Sequence, residues 1–224
     1  MQLSEDFRDI VAEFGQPTSL QWLSPARLAE LRALLPDELV DFMTVYGECS
    51  LDSGLINVCD PIAYAGLSKQ IFGKDRDFGK ATSSLYAYSA FGSLFFWNQM
   101  FGLHTVSLLS GVVVCASLTA NTLNKATHHR HIYVAFGMSR DALDAVDENG
   151  KPLLARAVKK LGPLEIGECY GFVPLLSLGG MRRLENLKRL KAREHFSIAA
   201  QSMQLRLVDA RQYGNLDGVR LIGQ

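Results

Sequence analysis

The chain has 224 residues, of which 48% are hydrophobic and 21% are charged, a balance that excludes a disordered protein and predicts a folded core. Its most apolar stretch, residues 106–118, is interrupted by serines and is shorter than the roughly 20 residues that cross a bilayer, which excludes a membrane span there. The first residues contain neither the basic cluster nor the apolar run of a signal peptide, so we expect a cytoplasmic protein.

The charges are unevenly distributed although the net charge is zero. Residues 1–75 hold 12 acidic and 5 basic side chains, whereas residues 151–224 hold 6 acidic and 13 basic ones. Because charge steers association between complementary surfaces, the acidic third could face a basic partner. The alternative is that the two ends of the chain pair with each other in the fold.

The first quarter of the chain predicts three helices. Apolar residues recur there at spacings of three and four, and residues that cap or break helices separate the runs. The predicted helices cover residues 4–14, 25–35 and 36–46, and Gly47 is expected to end the third of them.

The middle of the chain predicts a sheet. Residues 55–59 are rich in β-formers and bounded by turn residues, which indicates a strand, and a helix is predicted over residues 61–72. Four aromatic and β-branched runs follow with short spacers, which favour antiparallel hairpins because parallel strands need a long crossover. These runs are residues 85–91, 93–98, 104–109 and 112–116, and residues 132–136 could be another strand or the start of a buried helix.

The last third predicts helices again, over residues 152–161 and 184–203, with an apolar, glycine-bounded segment over residues 170–180 between them. We therefore predict an α+β fold with a mainly antiparallel central sheet flanked by N-terminal and C-terminal helices. Gly180, like Gly47, should connect elements and not lie inside one.

The sequence contains no motif that indicates catalysis. The G-x-S-x-G, phosphate-loop and H-E-x-x-H patterns are all missing, and the four cysteines are too widely spaced for a zinc or redox pair, so we expect buried free thiols. Residues 128–131, His-His-Arg-His, could supply imidazoles to zinc or copper, but an exposed polar loop is the simpler interpretation. We predict no catalytic residue, no cofactor and no metal site.

The densest basic stretch runs from Arg182 to Arg193. On the predicted helix its cations would lie opposite the leucines, where they could bind phosphate groups. No aromatic side chain lies among them to stack on bases, which favours a solvated helix face. Nucleic-acid binding or a regulatory role through this stretch is the alternative function.

Several short segments resemble known domains. Segments of the first half resemble a GAD-like domain: Phe14-Gly15-Gln16-Pro17, Leu35-Pro36-Asp37-Glu38-Leu39, Tyr46-Gly47 and Asp60-Pro61. Segments of the second half resemble the C-terminal domain that accompanies it: Gly162-Pro163-Leu164, Glu168-Cys169-Tyr170-Gly171-Phe172-Val173-Pro174 and Leu178-Gly179-Gly180. This combination is similar to the immunity proteins that protect bacteria from their own type VI secretion DNase toxins.

The resemblance implies a GAD-like domain over residues 1–105 and a C-terminal immunity-type domain over residues 106–224, closely packed on the first. It also implies a protein that is not an enzyme and that binds and neutralises a cognate toxin, with a nuclease as the expected class.

The acidic residues around the third predicted helix are the candidate partner-binding site. A nuclease must hold a polyanion in a basic groove. An inhibitor with acidic residues can be attracted to the positive potential of that groove. The polar side of the helix carries three carboxylates, and two more follow in the next predicted loop. We therefore predict partner binding through Asp37, Glu38, Asp41, Glu48 and Asp52.

Overall fold

The computed structural model describes residues 3–119, 133, 136, 138–209 and 219–223. Within these ranges the chain forms eight α-helices and eleven β-strands. The helices are α1 (Glu5–Phe14), α2 (Pro25–Arg32), α3 (Asp37–Tyr46), α4 (Ala65–Phe72), α5 (Ala116–Thr119), α6 (Arg140–Leu143), α7 (Leu154–Leu161) and α8 (Ala192–Gln201). The strands are β1 (Thr18–Gln21), β2 (Glu48–Leu51), β3 (Ile56–Val58), β4 (Ser83–Ser89), β5 (Ser93–Asn98), β6 (Gly102–Ser107), β7 (Val112–Val114), β8 (Glu168–Phe172), β9 (Leu187–Lys191), β10 (Arg206–Val208) and β11 (Arg220–Leu221).

Nine of the described strands form one sheet in the order β1-β2-β3-β4-β5-β6-β7-β10-β11, and β8 pairs with β9 in a second, two-stranded sheet. Every pair is antiparallel except β7 with β10. The predicted α+β class and the mainly antiparallel sheet are therefore confirmed. The hairpins from β4 to β7 lie where the four predicted runs stand.

The three N-terminal helices begin and end close to their predicted bounds. Ser4 caps α1 by accepting the amide hydrogen of Phe7 at 3.3 Å. Gly47 ends α3 with a φ of 66° and donates its amide hydrogen to Met43, as its predicted role requires. The rings of Phe7 and Phe42 stack 4.7 Å apart, which joins α1 to α3 in one apolar cluster. Of the ambiguous segment 132–136, Tyr133 and Phe136 are described, and both rings pack against Phe7.

The predicted helix over residues 184–203 is wrong in its first half. Leu187–Lys191 is strand β9, and only Ala192–Gln201 is helical. Leu187 and Leu190 belong to two different apolar clusters, so β9 lies between them and places apolar side chains on both of its faces. Residues three apart point to opposite faces of a strand, so a strand that packs one leucine on each face imitates helical spacing. Gly180 does connect elements, between 3-10 turns at Leu176–Leu178 and Leu184–Asn186.

Candidate partner-binding surface

Helix α3 brings Asp37 and Asp41 together on one face, one turn apart. The guanidinium group of Arg32, at the end of α2, lies between them, with nitrogen–oxygen distances of 2.9 Å to Asp37 and 2.7 Å to Asp41. The hydrogen bonds that Arg32 donates, first to Asp41 and then to Asp37, raise the pKa of Arg32. Asp37 is 76% exposed and Asp41 is partly exposed, so a partner can reach both although Arg32 offsets part of their charge.

Glu38, on the same helix, and Asp6 of α1 both lie near Tyr133. The sequence prediction did not include Asp6. Burial raises the pKa of Tyr133, and the charges of Glu38 and Asp6 raise it further. The hydroxyl of Tyr133 lies 3.2 Å from Ser4, at the start of α1. The first turns of α1 and α3 therefore both place a carboxylate near Tyr133.

Glu48 lies in strand β2 and not in a loop, which corrects the predicted setting of this residue. Its carboxylate is half-buried and accepts the amide hydrogen of Asp60 at 2.9 Å. Burial raises the pKa of Glu48. This carboxylate is thus engaged with the backbone and takes part in the fold.

Asp52 lies in a 3-10 turn, Asp52–Gly54, between β2 and β3. Its carboxylate forms a 2.9 Å ion pair with Arg140 of α6, and its side chain is largely buried. This ion pair connects the N-terminal strands to the second half of the chain. Of the five predicted residues, the structure therefore brings together the three on α3, and it gives Glu48 and Asp52 contacts of their own.

Four of the six basic side chains between Arg182 and Arg193 form ion pairs with carboxylates. Glu168 of β8 lies 3.1 Å from Arg189 and 3.3 Å from Lys191 on the neighbouring strand. Two further ion pairs join Arg183 to Glu148 and Arg193 to Glu194. The single cationic helix face that phosphate binding would use is replaced by a strand with paired charges, which weakens the nucleic-acid alternative.

The thiols are buried, as the sequence predicts, and all four cysteines are free. Burial raises the pKa of the Cys49 thiol to about 12 and raises those of the other three as well. A buried thiol that stays protonated is a poor nucleophile and a poor metal ligand.

The part of the chain that the structure describes contains no group of three or more His, Cys, Asp or Glu side chains suited to a metal ion. The histidine cluster of residues 128–131 lies outside the described residues. None of the helices in the described ranges is both long and apolar enough to span a membrane.

Comparison with known proteins identifies both halves of the chain. A family model for the GAD-like domain matches residues 5–110, and a model for the C-terminal domain of the type VI secretion immunity protein Tdi1 matches residues 133–203. The crystal structure of Atu4351 from Agrobacterium tumefaciens is similar over 97% of this chain and 98% of that chain, with 26% sequence identity and a TM-score of 0.89. The search of curated protein sequences found no match. The chain thus carries, in this order, a segment that matches the GAD-like domain and a segment that matches the C-terminal domain of the type VI secretion immunity protein Tdi1.

Proposed function

We propose that the chain is an immunity protein that binds a cognate type VI secretion toxin in the cytoplasm of the producing cell and neutralises it without chemistry of its own. The observation that carries this proposal is the match to a GAD-like domain followed by the Tdi1 immunity domain. The buried, protonated thiols are consistent with a binding scaffold. The division into domains of residues 1–105 and 106–224 is part of the same proposal.

We further propose that the toxin is a nuclease. The resemblance implies this class, and the acidic excess of residues 1–75 gives it a physical basis, because a nuclease holds DNA in a basic groove. The carboxylates of α3, Asp37, Glu38 and Asp41, are the main charged part of the proposed surface. Glu48 and Asp52 are retained in the proposal as residues that support the neighbouring backbone and the junction with α6.

Replacing Asp37 and Asp41 together by lysine should weaken toxin binding. The substitution reverses two charges and leaves Arg32 beside two further cations, so an attractive surface becomes repulsive towards a basic groove. We expect association to slow by about tenfold or more at low salt, and the wild-type rate to fall as salt rises. Surface plasmon resonance at several ionic strengths measures both effects.

The matched control replaces Asp9 and Glu13 of α1 by lysine, which makes the same charge change at the same spacing on another exposed helix face. Its association rate should fall less. If the α3 variant stays folded and protects cells as well as the wild type does, the acidic face of α3 is not the interface.

Co-expression tests the function itself. A bacterial host that produces the toxin encoded beside this chain should lose viability and degrade its DNA, and co-expression of the chain should restore both. The chain alone should leave DNA intact. Failure to protect would refute the immunity function, whereas protection against a toxin that leaves DNA intact would refute the nuclease class alone.

A further inference from the structure

Trp22 is an exposed tryptophan held in a fixed orientation. Its side chain is 65% exposed, whereas the other tryptophan of the chain, Trp97, is 5% exposed and lies in the core. The indole nitrogen of Trp22 donates to the carbonyl oxygen of Val45 at 3.3 Å, in the last turn of α3. This carbonyl is one of those that a helix end leaves without a partner inside the helix. The ring is therefore oriented before any partner arrives.

The backbone at Trp22 is fixed as well. Strand β1 ends one residue earlier, where Gln21 is paired with Glu48 across the β1–β2 ladder. Gly47 lies so close to this segment that an added Cβ would come within 2.8 Å of the Cα of Trp22. The glycine that ends α3 thus also lets β1 approach the helix, and the approach places Trp22 against the end of α3.

Trp22 contacts the helix that carries the carboxylates of the proposed toxin surface. Val45 follows Asp41 by four residues, so the carbonyl that binds the indole lies one turn beyond Asp41 along the same face of α3. Leu20, two residues before Trp22, is also exposed. An exposed aromatic ring at the end of α3 and carboxylates in the preceding turns therefore belong to one helix.

This arrangement fits a basic protein partner. Tryptophan is enriched among the residues that dominate protein interfaces, and a tryptophan ring also binds Lys or Arg side chains over its face. The neighbouring carboxylates attract the same cations. We propose that Trp22 is the central anchor of the toxin interface and receives a Lys or Arg side chain from the basic groove of the toxin, with Asp37 and Asp41 at the rim. This inference rests on the proposed function and assigns its principal contact.

Replacement of Trp22 by alanine should weaken binding of a catalytically inactive toxin by about 30-fold or more, the usual loss when an interface anchor is truncated. Trp22→Phe keeps a ring but loses the hydrogen bond to Val45, so it should give an intermediate loss. Leu178→Ala is the matched control, since Leu178 is also 65% exposed and lies in the C-terminal half, and it should keep wild-type affinity. Titration calorimetry measures the affinities, and circular dichroism checks that each variant is folded.

Fluorine NMR supplies a readout of toxin binding on the wild-type chain. Protein labelled with 5-fluorotryptophan should give two signals, and Trp22→Phe removes one and so assigns both. Unlabelled toxin should shift or broaden the Trp22 signal and leave that of Trp97 in place. A saturated complex with an unchanged Trp22 signal, or equal losses of affinity for Trp22→Ala and Leu178→Ala, would overturn the proposal while the proposed function stands.

Two other possible occupants of this surface can be told apart from the toxin by experiment. If a second copy of the chain covers Trp22, light scattering will show a wild-type dimer that Trp22→Ala converts to a monomer, which also overturns the proposal. If nucleic acid covers it, a DNA oligonucleotide alone will shift the Trp22 signal, with the same consequence. If the wild-type chain does not bind the toxin at all, the proposed function fails.

Discussion

Replacement of Arg220 by methionine should lower the free energy of unfolding by about 3–5 kcal/mol, the usual cost of leaving one member of a buried ion pair without its partner. Arg220 lies in β11, and its guanidinium group forms two bonds with the carboxylate of Asp75, at 2.6 and 2.9 Å. The Asp75 side chain is fully buried and that of Arg220 is 10% exposed. Methionine fills much of the same space but cannot balance the charge.

The surroundings of Asp75 explain why the loss should be large. Burial by itself would raise the pKa of Asp75, but Arg220 and the backbone amides of Gly223, Phe78 and Asp77 donate hydrogen bonds that lower it well below its usual value. Arg220 also reaches Asp77 at 2.8 Å. Without Arg220, the charged carboxylate of Asp75 would remain buried without its partner. Strand β11 would also lose its ion pairs with Asp75 and Asp77, which follow α4.

Chemical denaturation of wild type and variant measures this effect. The control is Arg193→Met, which breaks an ion pair with Glu194 whose two side chains are 61% and 58% exposed. Such exposed pairs contribute about 0–1 kcal/mol, so this variant should be almost as stable as the wild type. Adding Asp75→Asn to Arg220→Met should recover part of the loss, because the buried charge is then removed. Equal stabilities for the two single variants would contradict this account of β11.

The free energy of unfolding should fall as the pH is lowered from 7 to 4, and His104 should account for about 3 kcal/mol of that fall. Burial lowers the pKa of His104 from 6.5 to about 4. In the unfolded chain His104 therefore becomes protonated near pH 6.5, whereas in the folded chain it becomes protonated only near pH 4. The contribution of His104 to the free energy of unfolding is therefore full above pH 6.5 and is lost as the pH falls from 6.5 to 4. It amounts to about 1.36 kcal/mol for each unit by which the two pKa values differ.

The environment of His104 explains the lowered pKa. Its ring stacks on Phe96, with centroids 5.5 Å apart, and contacts the rings of Phe72 and Phe78. Nδ1 lies 3.2 Å from the carbonyl oxygen of Gly102, which can only accept, so Nδ1 carries the hydrogen of the neutral ring. Nε2 is buried and has no partner among the described residues. A proton at Nε2 would put an unsatisfied charged donor among aromatic rings.

His104→Leu should flatten the stability profile between pH 7 and pH 4 by about 3 kcal/mol relative to the wild type. Urea denaturation at half-unit steps of pH measures the difference. His195→Gln is the comparison, because His195 also has a pKa lowered by burial but is only partly buried, so this variant should flatten the profile less. A His104→Leu profile parallel to that of the wild type would show that another group causes the acid sensitivity.

Local patterns predict those elements whose apolar residues face one core. Helices α1, α3 and α7 have a single apolar stripe, and the hairpins from β4 to β7 have short connections, so their type follows from nearby residues. Strand β9 fails this test because Leu187 and Leu190 pack into different apolar clusters on its opposite faces. Strands β1, β10 and β11 are two to four residues long and depend on partners far along the chain, so no local pattern marks them.

The candidate surface could be predicted in part for similar reasons. Helical spacing places Asp37 and Asp41 on one face. It does not reveal that Arg32 lies between them or that Asp52 pairs with Arg140, because these contacts depend on how separate elements pack. Trp22 was missed because exposure of a single large apolar residue has no sequence signal. The nearby Tyr46-Gly47 motif was the available clue, since its glycine permits the close approach of β1.

Titration of the purified chain into the active toxin tests the central claim most directly. With the toxin encoded by the neighbouring reading frame and a fluorescent DNA substrate, we predict that cleavage falls in proportion to the added chain and stops at a one-to-one ratio. A stable complex should appear at the same ratio in size-exclusion chromatography. Undiminished cleavage at a large excess of folded chain, with no complex formed, would contradict the account.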